Sequence, residues 1–148
     1  MDEGWDARAA RCRAGLAPLG PFLGAWAGEG AADGEALSGT LTLRAALGDS
    51  FVIQEERLFR ADGSEAHAEL VVYRWDDEAG ALRAVQHFAP AWVEHAVVTA
   101  PAPGELRWDL GPLGPRVVLR LPAPDALRVE VWHPRGDALL SALEYTRA

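Results

Sequence analysis

An all-β fold, a ten-stranded antiparallel up-and-down β-barrel with a short N-terminal helix covering one end, follows from three observations. Apolar residues alternate with period two from Leu23 to Arg147, broken at short intervals by turn residues. No second helical segment lies among these strands, so the crossovers a parallel sheet requires are missing and short hairpins must join neighbours. The stretch Phe22–Gly30 puts Gly24, Gly28 and Gly30 on the same parity as Trp26. One face of that strand is bare backbone plus one large aromatic, so it can bend and let another segment approach closely. An open sheet of ten strands would leave long unpaired edges, and closure removes them.

Residues 2–17 carry a helical pattern. Trp5, Ala9, Cys12 and Leu16 form one apolar stripe, and Asp2, Glu3 and Asp6 precede Arg8, Arg11 and Arg13 in the order a helix dipole favours. Ala17-Pro18-Leu19-Gly20-Pro21 ends the helix, and its stripe is expected to lie as a lid across one barrel mouth. Strands are expected at 23–30, 37–46, 51–59, 65–75, 81–88, 91–98, 105–110, 115–122, 126–133 and 139–147. Turn chemistry separates them, including Gly48-Asp49, Asp62-Gly63, Pro103-Gly104 and Arg135-Gly136-Asp137. The 148 residues read as one domain, with helix and lead-in over 1–21 and barrel over 22–148.

The later strands separate their faces cleanly. Leu127, Val129 and Val131 oppose Arg128 and Glu130, and Leu106 and Trp108 oppose Arg107 and Asp109. Strands three to six do not. Phe51, Ile53 and Phe59 share a face with Glu55 and Arg57, while Val93, His95 and Val97 back onto Trp92, Glu94, Ala96 and Val98. Two-faced apolarity here means either polar groups inside the barrel, a cavity with chemistry, or apolar groups outside it, a partner surface.

Composition narrows the function. Formal net charge is −8 and all 14 basic residues are arginine, so nucleic acid is an unfavourable partner and lysine chemistry is excluded. Cys12 is the only cysteine, so no intrachain disulfide forms and nothing asks for an oxidising compartment. The start is acidic and no stretch approaches the ~20 apolar residues of a membrane helix. A cytoplasmic protein with no membrane partner is the expectation.

The layout of a short helix, then Gly24-x-Trp26-x-Gly28-x-Gly30, then nine strands ending Leu143-Glu144-Tyr145-Thr146-Arg147, resembles the calycin-like barrels. Within them it is similar to the nitrobindin-related, lipocalin-like families, and Val72-Tyr73-Arg74-Trp75-Asp76-Asp77-Glu78-Ala79-Gly80 is similar to a strand-turn-strand of their uncharacterised branch. The resemblance implies a barrel with an internal pocket and, in the nitrobindin branch, a haem held by a histidine on the last strand. Here residues 139–147 contain no histidine, and His133 stands on the preceding strand.

Candidate site residues each carry a functional and a plain reading. His133 continues the apolar face of strand nine at a rim, as a ligand group or as a histidine bonded to a turn. His87 and His95 flank Ala89-Pro90-Ala91; in register they would be diagonal neighbours about 7–8 Å apart, a partial metal site without a third ligand, or surface decoration. His67 belongs to no constellation. Glu55 and Arg57 would anchor a polar ligand head if their face is interior, and are solvated if it is not. Trp108 and Tyr145 are candidate wall residues, while Trp26 reads as a plug at a barrel end and Trp5 as an anchor for the helix. Cys12 on the helix stripe reads as a small hydrophobe, and Ser141 has no identifiable base.

Three functions remain. The first is non-catalytic binding of a small, mostly apolar molecule inside the barrel, with Trp108, Tyr145, His133, Arg57 and Glu55 in the wall and no cofactor or metal. The second is a haem protein sensing or acting on reactive small molecules, with His133 or His87 as axial ligand. The third is a filled barrel that forms a homodimer through the strand at 91–98.

Overall fold

The computed structural model describes residues 4–148; Asp2 and Glu3 of the expected first helical turn lie outside them. Helix α1 (Trp5–Gly15) leads through a 3-10 helix (Ala17–Phe22) into ten strands. These are β1 (Gly24–Ala32), β2 (Glu35–Ala46), β3 (Phe51–Phe59), β4 (Glu65–Asp76), β5 (Ala81–Phe88), β6 (Trp92–Ala102), β7 (Glu105–Asp109), β8 (Arg116–Ala123), β9 (Ala126–Trp132) and β10 (Leu139–Arg147). Each pairs antiparallel with its sequence neighbour, and β1 pairs with β10 to close the barrel.

Closure depends on the missing side chains of β1. A Cβ on Gly28 would lie 1.9 Å from the Glu144 carbonyl oxygen, and one on Gly30 would lie 2.0 Å from that of Ala142. Both strands can therefore approach only because these residues are glycine. Trp26, on the same face, is buried and donates its indole N–H to the Phe22 carbonyl at 3.0 Å. Arg147 covers the ring from β10, its guanidinium carbon 4.2 Å from the centroid. The same guanidinium donates to the carbonyls of Leu23, Pro21 and Pro124, tying the chain's entry into the barrel to its last strand.

One end is plugged, though not by α1. Leu19 and Phe22 of the 3-10 helix are fully buried, with Leu16 beside them, packed with Trp26, Leu41, Leu43, Leu106, Leu119 and Leu127. The expected lid is corrected accordingly: α1 buries none of its residues and Trp5 is 82% exposed. With the mouth already sealed, α1 lies beside it against the end of β4. Arg11 there forms a two-pronged ion pair with Asp77, and Gly15 sits against the Trp75 ring. Among the described residues no helix is long and apolar enough to cross a membrane.

Register decides the middle strands. On β3 the inward residues are Val52, Gln54, Glu56 and Leu58. Glu55 and Arg57 are exposed on the outer wall, which corrects their expected place in a pocket wall. Phe51, Ile53 and Phe59 lie outside with them and are half covered by neighbouring side chains. The barrel thus inverts the usual polarity on this strand, turning an amide and a carboxyl inward.

Candidate functional site

Glu56 and Glu69 are direct cross-strand partners on the inner faces of β3 and β4. Two carboxylates so placed repel if both are charged, and the barrel surrounds them with hydrogen bonds. Tyr145 donates to Glu56 Oε2 at 2.7 Å. Gln86 donates to Glu69 Oε2 at 2.6 Å, and its own Oε1 accepts the Trp108 indole N–H at 3.0 Å. His67 Nε2 lies 3.1 Å from the same Glu69 oxygen. A chain of contacts therefore crosses the interior from β10 through β3, β4 and β5 to β7. Below it Tyr73 donates to Gln54 Oε1 at 2.6 Å and meets Trp108 edge-on.

The environment sets the protonation of these groups. Burial, reinforced by the charge of Glu69, pushes the Glu56 carboxyl up to about 8, so it holds a proton at neutral pH. The hydrogen bond with Glu69 raises the His67 imidazole against the opposing effect of its burial. Tyr145 and Tyr73 are raised chiefly by burial and next by the carboxyl groups nearby, and both remain phenols. Neutral donors and one shared proton are what a low-dielectric interior tolerates.

Above this floor the barrel is hollow. A cavity of about 370 Å³ opens at the end opposite the plug, with Glu56, Glu69, Gln86 and His67 at its base. Leu37, Leu58, Val117, Val129, Val131 and Leu143 form its walls, and Asp33, Glu35 and Arg60 stand at the mouth. Glu35 and Arg60 are ion-paired at 3.0 Å. Beside the mouth a groove lined by Phe88, Trp92, Leu110 and Leu113 continues the apolar surface outward.

The expected site residues divide around this geometry. Tyr145 and Trp108 are inside, but they bond to Glu56 and Gln86 from beneath the floor and do not line the cavity. His133 is corrected from the wall to the turn after β9, where Nδ1 accepts the Arg135 backbone N–H at 3.3 Å and lies 3.8 Å from Asp137. His87 pairs with Val93 and His95 with Val85, so both imidazoles lie on the exposed outer face. Gly24, Trp26, Gly28 and Gly30 are structural. Neither His133 nor His87 reaches the interior, so these donors do not fit an axial bond to a haem in the barrel. Sequence reasoning misses Glu56 and Glu69, assigns His67 to no constellation, and offers Gln86 only as a possible neighbour of Glu55 and Arg57. The signal that finds the carboxyl pair is the short β3–β4 turn, which brings Glu56 opposite Glu69 once the inner parity of β3 is known.

No protein-family model matches this chain, and no curated protein does. Among solved structures, one similar chain is described as the de novo design of a fluorescence-activating β-barrel. The two share 14% identity over 88% of this chain and 96% of that one, with a TM-score of 0.48. The protein is a closed ten-stranded antiparallel β-barrel with a short N-terminal helix.

Proposed function

We propose that the barrel binds a small, mostly apolar molecule carrying one hydrogen-bond-donating group, without transforming it. The observation that carries this reading is the cavity of about 370 Å³ with aliphatic walls and an acceptor-rich floor at Glu56 and Glu69. Apolar walls supply affinity by removing ligand surface from water, and a few polar groups at one end orient it. A hydroxyl, amine or amide N–H suits this floor; a carboxylate would meet Glu69 and be repelled. The resemblance to the nitrobindin-related barrels accords with an internal ligand.

Native mass spectrometry of freshly purified protein beside its denatured mass tests this. A mass excess lost on denaturation, or one gained on incubation with 1-decanol, supports it. Equal masses in both states, with no uptake of 1-decanol, overturn it. The same spectrum addresses a second reading, a homodimer through the outer face of β6, which the 45% and 47% exposure of Val93 and Val97 favours. A monomeric mass at high protein concentration removes that reading.

A further inference from the structure

Glu56, His67 and Glu69 present one imidazole nitrogen and two carboxylate oxygens within 4.8 Å of one another, and they do so at the base of a cavity open to solvent. We propose that these three side chains bind a divalent transition-metal ion of the zinc or manganese kind, the ion displacing the Glu56 proton to solvent, with a coordination position left open toward the cavity. This goes beyond the ligand-binding reading and stands or falls separately from it.

Three features of the site carry the inference. The first is its donor set: mixed nitrogen and oxygen ligands suit zinc, manganese and cobalt, whereas calcium and magnesium favour oxygen alone. The second is spacing. In a tetrahedral ion with bonds of about 2.0–2.2 Å, the donor atoms lie roughly 3.3–3.6 Å apart. His67 Nε2 and Glu69 Oε2 already stand at 3.1 Å, and Glu56 faces Glu69 in direct register from the adjacent strand. The third is support around the donors. Tyr145 holds Glu56 at 2.7 Å and Gln86 holds Glu69 at 2.6 Å, the arrangement in which outer groups orient ligands.

Three protein donors at a closed floor differ from a complete four-residue structural site. The fourth position faces the cavity, where water or a donor atom of a bound molecule completes the shell. The exposed pair His87 and His95 lacks a third donor: among the described residues, only Glu56, His67 and Glu69 form a group of three.

The test is titration of EDTA-dialysed protein with Zn²⁺ and Mn²⁺ by calorimetry, with Co²⁺ as a spectroscopic probe. The expected result is a single equivalent bound, and Co²⁺ visible bands typical of low coordination number. Affinity should fall by about tenfold or more in Glu69→Gln and in His67→Ala, and stay unchanged in His87→Ala. His67 is partly exposed at the cavity floor, so His67→Ala keeps the test open if Glu69→Gln does not fold. No binding to wild type overturns the proposal. Binding that survives His67→Ala, or that is lost in His87→Ala, overturns it too.

Discussion

Glu56 is fully enclosed, opposite a second carboxyl group, and its proton is the feature of the interior most exposed to experiment. Its carboxyl titrates near 4.5 in the unfolded chain and is pushed up to about 8 in the barrel. The folded state therefore binds more protons than the unfolded state across that window. Stability from this group is complete below about pH 4.5, declines as pH rises, and levels off above about pH 8, with each unit of separation worth about 1.4 kcal/mol at most. His67, also raised, acts in the same direction as pH climbs through its own range. Glu56→Gln keeps an acceptor for Tyr145 and a donor toward Glu69 while removing the ionisation. Thermal melts in EDTA across pH 5–9 should show wild type losing stability with rising pH and Glu56→Gln losing much less. Parallel curves would place the proton elsewhere.

At the scale of elements, β1 and β10 form the closure and Arg147 is its clasp. Arg147→Ala removes the contact over Trp26 and three charge-assisted bonds to carbonyls. Because the site is partly exposed, the loss expected in urea unfolding is about 1–2 kcal/mol. Arg147→Lys should recover less than half of it, since one ammonium cannot span three carbonyls and lie flat on an indole. Full recovery by lysine would mean that charge alone matters.

The same scale explains what was legible in the sequence. Period-two alternation and turn residues marked all ten strands, with ends displaced by a few residues where pairing outruns the pattern: β6 continues to Ala102 and β1 to Ala32. The glycines and Trp26 marked the closure, because steric need leaves a direct trace. The site left none. On β3 the apolar Phe51, Ile53 and Phe59 point out while Gln54 and Glu56 point in, so hydrophobic parity argues for the wrong face. The inward polar groups are tolerated because they satisfy one another across strands, and that pairing lies in register, not in local composition. His67 stands between alanines, with no periodic signal to separate it from a surface residue.

At the scale of the whole molecule the barrel is two unlike halves divided by the Tyr145–Glu56–Glu69–Gln86–Trp108 chain. One half is packed with aliphatic and aromatic side chains beneath Leu19 and Phe22, and supplies the stability. The other is hollow and open, and its floor concentrates the interior's acid groups. Outside, arginine and carboxylate side chains interleave, as where Arg120 and Arg128 flank the buried Glu130. Such a wall keeps charge on the outer face, and the groove of Phe88, Trp92, Leu110 and Leu113 beside the charged mouth is the apolar surface that leads toward the cavity.

The hollow half is the central claim, and titration with the neutral dye N-phenyl-1-naphthylamine tests it most directly. That probe has an apolar body and a single N–H donor, matching the walls and floor. Wild type should give saturable, blue-shifted emission with about one dye per chain, a small ligand in one enclosed site. Ser141→Trp, which places an indole in the cavity from β10, should abolish that emission while leaving the melt close to wild type. No enhancement in wild type, or equal enhancement in both proteins, would contradict the account.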